Sequence, residues 1–145
     1  MKRTDALVQL LVEDIQNADL LEVACGAADF SLSASHYARS VSCIDLDASR
    51  LNPQLLRNAG VHFQIMDASE MRFADQSFDT VVLYNALFHV RPQWDRILSE
   101  CRRVLKADGS IYVIGTWKLD AGLMSELFAD RAKWQDDFLI VKLAK

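Results

Sequence analysis

The chain has 145 residues, 51% of them hydrophobic, enough for one well-buried core and too few for two ordinary domains, so residues 1–145 read as a single domain. A formal charge of −4 lacks the basic footprint of a general nucleic-acid binder, and nucleic acid is disfavoured as a partner. Cys25, Cys43 and Cys101 are widely spaced and without C-x-x-C pairing, so neither a disulfide framework nor a zinc site is indicated, and no metal is expected.

The opening run Ala6-Leu7-Val8-Gln9-Leu10-Leu11-Val12 is broken by Gln9 and followed by Glu13 and Asp14. It reads neither as a signal peptide nor as a membrane span, no other run reaches spanning length, and a cytoplasmic protein without membrane contact is expected. Leu7, Leu10, Leu11 and Ile15 recur at helical spacing and predict an amphipathic helix over about residues 3–17. Leu20-Leu21-Glu22-Val23-Ala24 then reads as a buried strand running into a turn of small residues, Cys25-Gly26-Ala27-Ala28-Asp29. Small side chains let a ligand come close to the backbone there.

That turn also sorts the ligands. A dinucleotide-binding turn needs glycines in the frame G-x-G-x-x-G to seat a pyrophosphate, and the frame here holds Ala24, Gly26 and Asp29. A pyrophosphate would meet the Asp29 carboxylate, whereas the ammonium and sulfonium of S-adenosylmethionine (SAM) would not be repelled. Asp29 also suits a helix cap, and the two roles are compatible.

A second helix is predicted from Asp29 to about residue 39, then a short strand over residues 41–45 ending on Asp45. Residues 48–58 look helical, with Pro53 fitting the first turn or two and Gly60 ending the helix. Residues 61–65 alternate like a strand near a sheet edge, and residues 78–84 form a long apolar strand. Pro92 precedes a helix with Trp94, Ile97, Leu98, Cys101 and Leu105 on one face, ended by Lys106-Ala107-Asp108-Gly109. Residues 110–116 give a fifth strand, residues 121–133 a last helix, and residues 138–143 a closing strand. Alternation at this spacing predicts an α/β fold: an open, doubly wound, mostly parallel sheet with helices on both faces and ligands across the carboxyl ends of the strands.

Five segments taken in order resemble the class I, Rossmann-like SAM-dependent methyltransferases, most closely their small-molecule, type 11-like branch. The likeness runs over roughly residues 20–116. Glu22-Val23-Ala24-Cys25-Gly26-Ala27-Ala28 is similar to the family's acid followed by alternating glycines, with alanine at two of the three glycine positions. Asp45 in Cys43-Ile44-Asp45-Leu46-Asp47 matches the acid ending the second strand, whose carboxylate can accept both vicinal ribose hydroxyls. Asp47 competes for that role but reads better as a helix cap. Met66-Asp67-Ala68 falls where the family takes the adenine amino group on the acid and a ring nitrogen on the next N–H. Tyr84-Asn85-Ala86-Leu87-Phe88-His89-Val90 resembles the segment lining the methyl-transfer site, and residues 97–109 resemble the helix-to-fifth-strand passage.

The resemblance therefore implies SAM as cofactor, bound by Glu22, Ala24, Cys25, Gly26, Asp29, Asp45, Leu46, Asp67, Ala68, Tyr84 and Asn85. It implies methyl transfer by in-line displacement to an acceptor expected to be a small molecule. Alignment alone can contribute roughly 7–11 kcal/mol to such a step. His89 is the candidate general base, needed only where the acceptor must lose a proton; it also reads as a structural helix-start residue. A non-catalytic SAM-binding subunit acting through a protein partner stays open as an alternative. Beyond Thr116 the remaining residues allow one helix and one strand, which gives a sheet of about six strands with the last antiparallel beside strand five. No insertion large enough for a lid is evident, so the opening helix around Leu7 to Ile15, a homodimer or a large acceptor is left to close the site, and a homodimer or a large acceptor is expected. Trp117 and Trp134 could join that contact, with at least one expected to bury against the sheet.

Overall fold

The computed structural model describes residues 2–145. Seven strands form one sheet in the order β3-β2-β1-β4-β5-β7-β6: β1 (Asp19–Val23), β2 (Ser40–Asp45), β3 (Val61–Ile65), β4 (Phe78–Tyr84), β5 (Leu105–Gly115), β6 (Lys133–Gln135) and β7 (Phe138–Ala144). Strands β1 to β5 pair in parallel, and β7 runs antiparallel to both β5 and β6.

Period-two alternation divides the core between the two faces. Val81 and Leu83 of β4 and Ile111 and Val113 of β5 join one buried cluster. Val82, Tyr112 and Ile114 join the other. The first face is covered by Trp94, Ile97, Cys101 and Val104 of α6 (Trp94–Val104) and by Met124 and Phe128 of α7 (Lys118–Phe128). Leu7 and Val8 of α1 (Arg3–Leu10), Ile15 of α2 (Val12–Ile15), Phe30 and Ala34 of α3 (Asp29–Ala34) and Leu56 of α4 (Pro53–Ala59) cover the second. Cover on both faces is why β4 carries three consecutive buried apolar residues, Val81, Val82 and Leu83, rather than an alternating pattern. The short α5 (Leu87–Val90) follows β4. Among the described residues, no helix is long and apolar enough to cross a membrane.

Several elements differ from the sequence expectation, each for a local reason. The opening helix breaks at Leu11, whose backbone leaves helical geometry. The third helix stops at Ala34. The fourth begins only at Pro53, where the Asn52 side chain caps it by accepting the Gln54 and Leu55 N–H groups, and Gly60 at φ +71° ends it as predicted. The last helix spans Lys118–Phe128, with Ala129 turning to φ 50° after it. The residues freed supply β6, so the sheet has seven strands where about six were expected. The β6–β7 hairpin turns at Asp136 (φ 53°) and Asp137, without the glycine that marks most two-residue turns. Trp117 and Trp134 are both exposed, against the expectation that one would bury: Trp117 precedes α7 and Trp134 lies on the three-residue edge strand.

Gly109 sits where a side chain has no room. A Cβ there would lie 2.5 Å from Leu105 Cδ1 and 2.7 Å from the Asp79 carbonyl oxygen, and backbone cannot step aside as a side-chain tip can. Gly109→Ala is expected to cost about 1–3 kcal/mol, read from the denaturant midpoint. An unchanged midpoint would contradict this packing.

Candidate functional site

The chain leaves β1 for β2 and β3 on one side and later returns to β4 on the other, which opens a crevice at the carboxyl ends of β1, β2 and β4. A cavity of about 640 Å³ lies there, and all twelve residues singled out from the sequence line it. Ala24, Cys25 and Gly26 form its floor with Ala27. Ala24, Gly26 and Ala28 stand at φ 56°, 57° and 62°, alternate left-handed residues that pull the chain into a tight cradle. The two alanines hold a conformation costing an L-residue about 1–2 kcal/mol.

Asp45 locks this cradle to the end of β2. Its Oδ2 accepts the Gly26 N–H at 2.8 Å and its Oδ1 the Leu46 N–H at 2.7 Å, leaving further acceptor capacity on each oxygen. Asp47 is spent locally: Oδ1 accepts the Ser49 N–H at 2.9 Å and the Ser49 hydroxyl at 2.7 Å. It caps that turn, and the helix cap expected of it falls to Asn52. Asp29 is the first residue of α3, after an N-cap at Ala28 that makes no side-chain bond, so its carboxylate meets the positive end of the helix without capping it.

Glu22 is buried, and its Oε1 accepts the Ser31 N–H at 3.1 Å and the Ser31 hydroxyl at 2.7 Å. Burial outweighs these bonds and pushes its pKa up to about 8. Asp67 accepts the Ser69 hydroxyl at 2.7 Å and the Ser69 N–H at 2.9 Å, which hold its carboxyl below the usual range, and Ala68 follows it on the cavity wall.

At the end of β4, Tyr84 is half-buried beside Phe30, with ring centroids 6.3 Å apart, and burial raises its phenol pKa. Asn85, at φ 52°, ties β4 to β5: its Nδ2 donates to Thr116 Oγ1 at 2.8 Å and its Oδ1 accepts the Thr116 N–H at 2.8 Å. Its amide is therefore occupied by the protein as well as bordering the cavity. His89 is exposed on α5, its ring edge-on to those of Phe88 and Trp117 at 5.9 and 6.1 Å.

Sequence reasoning missed Arg50 and named Trp117 for a closing contact, not as a lining residue. Arg50 covers the turn so closely that a Cβ on Gly26 would lie 2.7 Å from its Nη1. Nothing in the local sequence marks it. Trp117 follows β5 at the carboxyl end of the sheet, the position where topology alone would have directed attention. No residue of the opening helix lines the cavity, so that helix is no part of its wall. Four carboxylates, those of Asp29, Asp45, Asp47 and Asp67, face one guanidinium, that of Arg50, with the buried Glu22 carboxyl behind them. Such a rim repels polyphosphate and favours a ligand rich in hydroxyl and cationic groups.

Comparison with known proteins agrees with this geometry. The chain is 32% identical over 84 residues to phosphatidylethanolamine N-methyltransferase of Cereibacter sphaeroides, covering 54% of this chain and 41% of that one. It is 31% identical over 105 residues to demethylmenaquinone methyltransferase of Lactobacillus johnsonii, covering 66% and 43%. The chain thus spans under half the length of these curated relatives. The crystal structure of a SAM-dependent methyltransferase from Aquifex aeolicus superposes with a TM-score of 0.73 at 14% identity, over 97% of this chain and 89% of that one, which establishes the shared fold. The methyltransferase domain family model matches residues 21–113, more than half of the chain, and the chain belongs to that family.

Proposed function

We propose that the cavity binds SAM and that the chain transfers its methyl group to a small-molecule acceptor. The observation that carries this reading is the acid-rimmed cradle in which the Ala24–Ala28 turn, Asp45 and Asp67 meet at the strand ends. The free acceptor capacity of Asp45 takes the two ribose hydroxyls, and Asp67 and the Ala68 N–H take the polar edge of adenine. Met66, Pro92 and Ile97 supply apolar surface for the ring, with Leu46 beside it. Glu22 and Asp29 compensate the ammonium, close to the backbone of Ala24, Cys25 and Gly26, and Tyr84 and Asn85 border the methionyl end.

Bound SAM supplies a sulfonium methyl that is transferred in line, with a neutral thioether leaving. The chain's part is alignment in a cavity of fixed shape. His89 takes the acceptor's proton where the acceptor is a protonated nucleophile. The relatives named for phosphatidylethanolamine and demethylmenaquinone support a small molecule or lipid as acceptor. Exposure of Phe88 and Trp117 next to His89 supports closure by a second subunit or by a bulky acceptor.

SAM and S-adenosylhomocysteine are expected to raise the melting temperature, and NAD to leave it unchanged. At a hundred times its dissociation constant a ligand stabilises the fold by about 2.7 kcal/mol. A melt that moves with NAD and not with SAM would overturn the assignment.

A further inference from the structure

Arg50 lies on the connection between β2 and α4, and its backbone is held on both sides. Before it, Asp47 Oδ1 accepts the Ser49 N–H at 2.9 Å. After it, the Leu51 N–H donates to the Ala48 carbonyl at 3.1 Å, and Asn52 caps α4. The side chain is exposed and lines the cavity, with its guanidinium resting on the cradle. A Cβ on Gly26 would lie 2.7 Å from Nη1, 3.2 Å from Cζ and 3.6 Å from Nη2, so the bare glycine is what gives the guanidinium room. Arg39, Arg91, Arg96 and Arg103 each find a carboxylate, at 2.6 to 3.6 Å. Arg50 finds none among the described residues, although four carboxylates share its rim.

SAM carries one anionic group, the methionyl carboxylate, and little else in the cavity can receive it. Alternate left-handed residues can turn backbone N–H groups into an anion seat, but here three of those groups are spent. Cys25 donates to the Ile44 carbonyl, Gly26 to Asp45 and Ala28 to the Cys25 carbonyl. The Asn85 amide is engaged by Thr116. Asp29, Asp45, Asp47 and Asp67 repel a further carboxylate. Arg50 is the one guanidinium or ammonium group lining the cavity among the described residues, and a guanidinium takes a carboxylate through two parallel N–H bonds.

We propose that Arg50 is a cofactor-binding residue: its guanidinium, resting on Gly26 in the ligand-free protein, takes the methionyl carboxylate of SAM. The inference rests on the methyl-transfer reading and deepens it. A two-pronged bond at the carboxylate fixes the chain that carries the sulfonium, which is the alignment that in-line transfer needs.

The test compares S-adenosylhomocysteine with S-adenosyl-3-thiopropylamine, which lacks only the carboxylate, by titration calorimetry on the wild type and on Arg50→Ala. Arg50 is exposed, so the substitution leaves the core intact. S-adenosylhomocysteine is expected to bind the variant about ten- to a hundredfold more weakly than the wild type, while the thiopropylamine loses no more than about threefold. Equal losses for the two ligands would show that Arg50 serves the turn or the nucleoside, and an unchanged S-adenosylhomocysteine affinity would show that it serves neither. Either result overturns the assignment of Arg50 and leaves the cavity a SAM site. A wild type that binds neither ligand overturns the methyl-transfer reading, and the assignment with it.

Discussion

Asp45→Ala is expected to weaken SAM binding by about 1.5–3 kcal/mol, roughly ten- to a hundredfold, while Asp47→Ala leaves affinity near the wild-type value. Both carboxylates line the cavity, but they are differently employed. Asp45 spends one bond per oxygen on the Gly26 and Leu46 N–H groups and can still accept from a ligand. Its removal strands two ribose hydroxyls and also releases the Gly26 turn from β2. Asp47 accepts twice from Ser49 through a single oxygen, so its loss disturbs a surface turn. Titration calorimetry on the two variants decides the matter, and equal affinities would remove Asp45 from the ribose site.

Glu22 is expected to make the ligand-free fold lose stability as pH rises. Its folded pKa of about 8 stands above the ordinary carboxyl value of 4.5, so between those values the folded chain holds a proton that the unfolded chain has released. The stabilising contribution is complete below about 4.5, declines through the interval, and is gone once pH passes about 8. The effect is on the order of a few kcal/mol for a group buried this deeply. Denaturant midpoints across that interval are expected to fall in the wild type and to flatten in Glu22→Gln. Parallel slopes in the two proteins would show that Glu22 is already ionised in the fold. A cationic ligand favours the ionised form, so SAM binding should release a proton from Glu22 below about pH 8.

The sequence disclosed those parts of the fold that local chemistry determines. Strands β3 and β4 fall on the predicted residues because their apolar patterning has no competing period. Gly60 ends its helix because a left-handed residue was required there. The Asp136-Asp137 turn escaped notice because it lacks the glycine that marks most two-residue hairpin turns, and with it went β6 and the true end of α7. The candidate residues converge on one cavity because they lie at the carboxyl ends of β1, β2 and β4, or just after β3 and β4, and parallel topology brings those ends together. Arg50 was invisible for the opposite reason. What covers a turn is decided by packing between segments far apart in the chain.

The most direct test of the account is a crystal structure grown with S-adenosylhomocysteine. The account predicts the ligand in the cavity at the ends of β1, β2 and β4, with the ribose hydroxyls on Asp45, adenine against Asp67 and Ala68, and the sulfur on the side facing His89. An empty cavity at saturating ligand, or a nucleoside seated away from Asp45 and Asp67, would contradict it.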